Sequence, residues 1–316
     1  MEKLKVLVTG GAGYIGNVLI RHLLDEGYFV TCLDNFLYSN NLSIASLVSN
    51  KNFKFIYGDV RDEILMKKAI SEQDIIIPLA ALVGAPSCED KKFDVESINH
   101  FSIEILNKIR SSNQIVIFPS TNSNYGNTDG NTLCTEDMEP SPISSYGVTK
   151  VAAEKSLKNS GKDFIILRLA TVFGISPRMR TDLMVNDFVL KSYKEGAILL
   201  YEDDFKRNFI HISDVARAFI HAIKNRDNMR GEIYNVGLHE ANISKLELVK
   251  KIKDKIKDLE IIKKEGKIDP DFRNYVVSHS KMENTGFSCK TSLENGIEEL
   301  IEGYKIIFKK EQFRNI

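Results

Sequence analysis

Tyr146 and Lys150 stand four residues apart, a spacing that puts both side chains on one face of a helix. A phenol with a pKa of about 10 is a poor base at neutral pH, but an ammonium group beside it favours the phenolate. Such a pair can take a proton from a substrate hydroxyl. Twenty-five residues before Tyr146, Thr121 follows an apolar run that reads as a strand, so its hydroxyl is offered at a sheet edge to the same reacting oxygen. A Tyr-x-x-x-Lys pair alone arises by chance in many helices, so its meaning depends on its neighbours.

The decisive neighbour is TGGAGYIG at residues 9–16, directly after an apolar run and opening a helical pattern. Gly10 permits a tight turn, Gly13 lets backbone N–H groups approach a pyrophosphate, and Gly16 lets the helix pack closely on the strand. Tyr14 and Ile15 begin the helix whose positive N-terminal end faces that anion. The loop therefore reads as a dinucleotide site. Eighteen residues beyond Gly16, Asp34 ends a second apolar run, followed by Asn35. A carboxylate there accepts from the adenosine ribose hydroxyls and repels a 2′-phosphate, so NAD is expected rather than NADP; the bland alternative is a loop cap. Asp59 and Val60 follow a third run at the same sheet edge, where Asp59 can accept from the adenine amino group. With NAD in place, Tyr146 removes a hydroxyl proton while hydride leaves the same carbon.

These groups need a common scaffold. Six short apolar runs, at 4–8, 29–33, 53–57, 74–79, 114–119 and 164–169, alternate with helix-like segments. That alternation predicts an α/β fold with a doubly wound parallel sheet of the Rossmann kind. Helices are expected over 95–110 and from about Ser144. After Gly174 the rhythm changes, and a helix is expected over 182–194. We read residues 1–173 as the NAD-binding domain and 174–316 as mainly a smaller substrate lobe, some of whose segments return to the first. Residues 250–267 are lysine-rich, but Ile252, Ile256 and Leu259 recur at helical spacing, so a solvated face over a buried stripe is expected.

Forty-three basic residues balance 43 acidic ones, which leaves no overall field to gather nucleic acid or a membrane surface. Any anionic ligand must be held locally. Cys32, Cys88, Cys134 and Cys289 lie far apart and no leader or membrane span is evident, so free thiols in the cytoplasm are expected. The six histidines have no metal-ligand spacing, and no metal is expected.

The chain resembles the extended short-chain dehydrogenase/reductases, in their nucleotide-sugar epimerase and dehydratase group. Beyond TGGAGYIG and the YGVTK that carries Tyr146 and Lys150, the resemblance includes Leu79, Ala80 and Ala81, the Asn99 region, LRLATVFG at 167–174, RNFIHISDVA at 207–216 and NVG at 235–237. It implies that Tyr146 is the base, Lys150 its electrostatic partner and Thr121 a ligand of the substrate oxygen. It also implies a nucleotide diphosphate sugar as substrate, and a homodimer built on the helices containing Asn99 and Tyr146.

Within that group the 4,6-dehydratases carry Asp-Glu after the threonine, and the 3,5-epimerases place a cysteine at the first of those positions. This chain has Asn122 and Ser123. The resemblance therefore implies hydride transfer at one carbon, most often C4, giving 4-epimerisation or 4-oxidation. Reduction of a 4-keto sugar is the alternative, and an NAD-binding sensor without catalysis is the alternative of another class. Arg207 and Arg273 match positions that clamp the diphosphate, and Asn186 matches a region that contacts base and sugar. Arg178 lies in an uncommon basic insertion at 176–180 and is assigned to substrate with Asn122, while Thr171 stands where many relatives have asparagine. By analogy the sugar feeds a bacterial surface-polysaccharide pathway such as capsule.

Overall fold

The computed structural model describes residues 3–84, 92–201, 203–264 and 273–308. Cys88 lies outside them, as do 265–267 of the lysine-rich stretch. Strand β1 (Lys5–Thr9) runs into helix α1 (Tyr14–Asp25), then β2 (Phe29–Asp34), β3 (Phe53–Tyr57), α2 (Glu63–Ile70) and β4 (Ile75–Pro78). Helix α3 follows in two α-helical pieces, Lys92–Glu96 and Ser102–Ile109, joined by a π turn at Ser97–Phe101. Then come β5 (Ile115–Thr121), α4 (Ser145–Lys158), β6 (Phe164–Leu169) and β7 (Thr171–Phe173). The rest contains α5 (Met184–Glu195), β8 (Ala197–Leu200), β9 (Phe209–His211), α6 (Ile212–Lys224), β10 (Glu232–Val236), α7 (Lys245–Lys255), β11 (Glu260–Lys263) and α8 (Leu293–Ile307).

All six expected strands form. They lie in one seven-stranded sheet in the order β10-β6-β5-β4-β1-β2-β3, parallel throughout. Alternate residues of each strand enter opposite cores: Val6, Val8, Ile75 and Ile77 pack with α1 and α6, whereas Leu7, Ile76, Val116 and Phe118 pack with α2, α3 and α4. Burial on both faces is why these strands read as continuous Val/Ile/Leu runs. The seventh strand, β10, is an addition to the expected six. It pairs with β6 from Glu232↔Ile165 to Val236↔Leu169, so the chain returns to the sheet after a long excursion.

That excursion and the chain beyond β10 together build a separate core of Phe173, Val185, Val189, Phe209, Leu248, Ile252, Leu300 and Tyr304. Ile252 and Leu259 are buried and Ile256 is half-buried, but α7 stops at Lys255 and the chain continues into β11, so the stripe spans a helix and the turn after it. Strand order reverses between β1 and β4, both of which start from the sheet's centre. A doubly wound sheet opens a crevice at the carboxyl ends of strands at such a point. No helix among the described residues is long and apolar enough to cross a membrane.

Candidate active site

At that crevice lies a cleft of about 570 Å³, large enough for a dinucleotide cofactor's reactive half and part of a substrate. Its first-lobe wall is made of strand ends and one helix terminus: Gly10, Gly13, Tyr14, Ile15 and Gly16, then Asp34, Asn35, Asp59, Val60 and residues 79–82. Gly10 has φ +68°, and a Cβ built on it would stand 2.6 Å from Ala80 N. A Cβ on Gly16 would stand 2.5 Å from Gly10 O. Only glycines allow the loop to lie this close to both neighbours. No side chain caps α1, whose N-cap is Gly13, so its first-turn amides are available to an anion.

The Asp34 carboxylate is oriented by two backbone donors, Ala12 N at 3.0 Å and Phe36 N at 2.8 Å. Burial pushes its carboxyl upward, partly opposed by those bonds. Asp59 is held by Arg61, which the motifs did not indicate; their ion pair is 2.7 Å, and Asn35 donates to the same carboxylate at 3.3 Å. Arg61 keeps the Asp59 carboxyl below the usual range. Glycine cradle, uncapped helix terminus and oriented carboxylate together fit NAD.

Thr121, Tyr146 and Lys150 meet on the same wall. Thr121 ends β5 in register with Leu169, and its hydroxyl donates to Ser123 Oγ at 3.0 Å. Tyr146 and Lys150 project from α4, whose N-cap Ser144 accepts from Gly147 N at 3.2 Å. Lys150 is buried with its ammonium 4.4 Å from the Phe118 ring centre. That burial pushes its pKa down to about 7, with Glu154 acting in the other direction.

Glu154 anchors a buried network behind this wall. It pairs with Arg168 at 2.8 Å and accepts from Asn124 Nδ2 at 2.8 Å and from Ser120 Oγ. Arg168 continues to the Tyr125 hydroxyl at 3.1 Å, which donates to Asn235 Oδ1 at 2.7 Å. Ser120 precedes Thr121, and Glu154 shares α4 with Tyr146 and Lys150, so one network locks both elements. Two signals for it stood in the sequence: Glu154 is four residues after Lys150, and Arg168 interrupts an otherwise apolar strand.

Arg273, Thr171 and Arg178 also line the cleft. Arg273 donates to the Ser123 hydroxyl. Four candidates lie off the wall. Asn99, turned inward by the π turn, accepts from Leu82 N at 2.8 Å and donates to Leu82 O at 2.9 Å, so it holds the wall from behind. Asn122 is fully buried. Asn186 is fully buried too, donating to the Tyr14 hydroxyl at 3.1 Å and to Arg180 O at 2.8 Å, while accepting from Gly174 N at 3.1 Å. Arg207 stacks behind Tyr275 with its guanidinium 5.6 Å from the ring centre. Residues lining the cleft that no motif indicated include Leu37, Tyr38, Asn40 and Asp182, while Arg180 comes from the basic insertion at 176–180.

Residues 6–237 match the model of the NAD dependent epimerase/dehydratase family. The chain belongs to this family. It is thus an NAD-dependent enzyme of the extended short-chain dehydrogenase/reductase type, as its motifs suggested. One relative is an uncharacterized UDP-glucose epimerase, YtcB, of Bacillus subtilis (strain 168), 31% identical over 79% of this chain and 82% of that protein. A dTDP-D-glucose 4,6-dehydratase of Bos taurus is 26% identical over 98% of this chain and 90% of its own. Among solved structures, a UDP-glucuronic acid 4-epimerase from Bacillus cereus, in complex with UDP-glucuronic acid and NAD, superposes with a TM-score of 0.86 at 28% identity. The match covers 96% of this chain and all of that one. The family thus includes both epimerases and dehydratases.

Proposed function

We propose that this enzyme interconverts C4 epimers of a nucleotide diphosphate sugar through a 4-keto intermediate. The observation that carries the reading is the convergence of Thr121, Tyr146 and Lys150 on one wall of a cleft whose neighbouring positions, Asn122 and Ser123, hold neither carboxylates for elimination nor a thiol for 3,5-epimerisation. NAD, bound along Gly10, Gly13, Tyr14, Ile15, Gly16, Asp34, Asn35, Asp59, Val60 and residues 79–81, supplies the acceptor and then the donor of hydride at C4.

The protein's own part is proton transfer and orientation. Tyr146 Oη takes the O4 proton as the C4 hydrogen departs, and gives a proton back when the ketone is reduced on its other face. Lys150 favours the phenolate by its charge, and Thr121 donates to the reacting oxygen. Arg273, linked to Thr121 through the Ser123 hydroxyl, suits the diphosphate because a guanidinium donates bidentately. Arg207 braces that region through Tyr275, and Asn99 and Asn186 hold the walls. On this reading residues 1–173 hold NAD and 174–316 mainly the sugar nucleotide.

We further propose a homodimer through α3 and α4, supported by exposed Phe93, Phe101 and Val148, 79%, 42% and 52% accessible, on those helices. A cytoplasmic role in bacterial polysaccharide synthesis accords with the similarity to sugar-nucleotide enzymes.

The test is incubation with UDP-glucose, UDP-galactose, UDP-N-acetylglucosamine, UDP-glucuronic acid and dTDP-glucose without added NAD, followed by separation of products. A 4-epimer is expected from one of them, and Tyr146→Phe should lower turnover roughly 10²- to 10⁴-fold with NAD content unchanged. A 4-keto-6-deoxy product, or full turnover by the Phe variant, would overturn the reading.

A further inference from the structure

Residues 174–183 leave the second lobe, cross the mouth of the cleft and end against its cofactor half. Ser176 Oγ donates to Tyr14 O at 2.9 Å, and the Tyr14 hydroxyl donates to Gly174 O at 2.7 Å. Met179 packs against the core clusters of both lobes. This strap is therefore stitched to the first turn of α1.

Arg178 at its tip is turned away from the reacting end, whereas Arg180 lies within the electrostatic surroundings of Tyr146 and Tyr14. The Arg178 guanidinium lies 4.8 Å from the centre of the Tyr38 ring, on the loop that follows Asp34. Asp34, Arg180 and Asp182 are the other charged groups in its electrostatic surroundings. A side chain dedicated to the sugar would be expected beside Thr121 and Tyr146 instead.

The loop that carries Tyr38 is itself unusual. Phe36 and Ser39 have φ of +54° and +53°, in the left-handed region that side chains disfavour. Strain of this kind persists where surrounding contacts over-determine the backbone, and it gathers at ligand clamps. Here Phe36 N is fixed by Asp34, the Phe36 ring stacks on Phe55 at 4.9 Å, and Asn40 Nδ2 donates to Ala12 O at 2.6 Å. The result holds the Tyr38 ring, 53% accessible, at the rim of the cleft. Two independently built segments thus meet over the adenosine end.

We infer that Arg178 and Tyr38 form a latch that retains NAD through turnover, and that Arg178 is not a contact of the sugar. This rests on the NAD-dependent epimerase reading and deepens it: an enzyme that returns its hydride to the same sugar gains from never releasing the cofactor, whereas a net dehydrogenase must exchange it. The guanidinium gives the latch a cation–π contact across the lobes and a positive charge near the site of an anionic cofactor.

The experiment loads the full chain with NADH and follows the loss of its fluorescence when excess NAD is added, for wild type, Arg178→Ala, Tyr38→Ala and Tyr38→Phe. Equilibrium dialysis against UDP is run in parallel, and circular dichroism checks each fold. Release roughly threefold to thirtyfold faster is expected in Arg178→Ala and Tyr38→Ala, with Tyr38→Phe like wild type and UDP affinity within about twofold throughout. Unchanged release in both alanine variants overturns the latch. So does weakened UDP binding with unchanged release, which would return Arg178 to the substrate. Because NADH release needs no turnover, failure to epimerise any sugar would sink the proposed function alone.

Discussion

The two walls of the cleft are built in opposite ways. The first-lobe wall is assembled from parallel strand ends, one helix terminus and α4, all fixed by the sheet register and backed by the Glu154–Arg168 pair. The facing wall includes a strap of irregular backbone, held to Tyr14 by a few hydrogen bonds and to Tyr38 by one ring contact. The residues whose chemistry demands fixed distances, Thr121, Tyr146 and Lys150, stand on the first, and the irregular strap stands on the second. Rigid elements can hold a proton donor and acceptor in place through a reaction, while a strap can open at little cost.

This contrast can be broken by substitution. Glu154→Leu leaves Arg168 buried without its partner and should cost about 3–5 kcal/mol of unfolding free energy, measured by urea denaturation. Adding Arg168→Met should restore much of that loss. If the single variant stays within about 1 kcal/mol of wild type, the rigid wall does not depend on this pair.

The buried lysine offers a second probe of the rigid wall. Burial holds the folded pKa of Lys150 at about 7, below that of the unfolded chain, so the unfolded state binds more protons between the two values. Stability of the NAD-free protein should therefore rise with pH above about 7, by at most about 1.4 kcal/mol per pH unit from this group. Comparing urea midpoints at pH 7 and pH 9 for wild type and Lys150→Met isolates the effect; parallel shifts would show that Lys150 is not desolvated as described.

On the strap side the effects should be smaller. Tyr14→Phe removes the hydroxyl that joins Gly174 O and Asn186 Nδ2, and should cost about 1–2 kcal/mol. It should also accelerate loss of NAD in gel filtration, because the strap is no longer tied to α1. A variant that loses stability but keeps its NAD would separate the hydrogen bond from cofactor retention.

Much of the first wall was legible because its signals are local. A glycine loop between a strand and a helix, a carboxylate at the next strand end and a Tyr-x-x-x-Lys helix are each readable within a few residues. The seventh strand was not: Glu232–Val236 is only half apolar in pattern, and its place beside β6 depends on a chain return across more than sixty residues. Asn99 and Asn186 were read as ligand contacts because their types and positions suit that role, yet both turn inward to satisfy backbone groups. Arg178 was read toward the sugar because the insertion is basic, and its direction follows from how the strap docks on Tyr14.

By itself, the sequence determined the Rossmann fold class and NAD as the cofactor, and it singled out Thr121, Tyr146 and Lys150 as candidates for proton transfer, because periodicity and fixed spacing act along the chain. Only the tertiary structure decided which polar residues face the cleft and which brace it, that Glu154 and Arg168 stand behind the reacting groups, and that Arg178 packs against the Tyr38 ring. Those outcomes depend on burial and on contacts between distant segments, which no local pattern specifies.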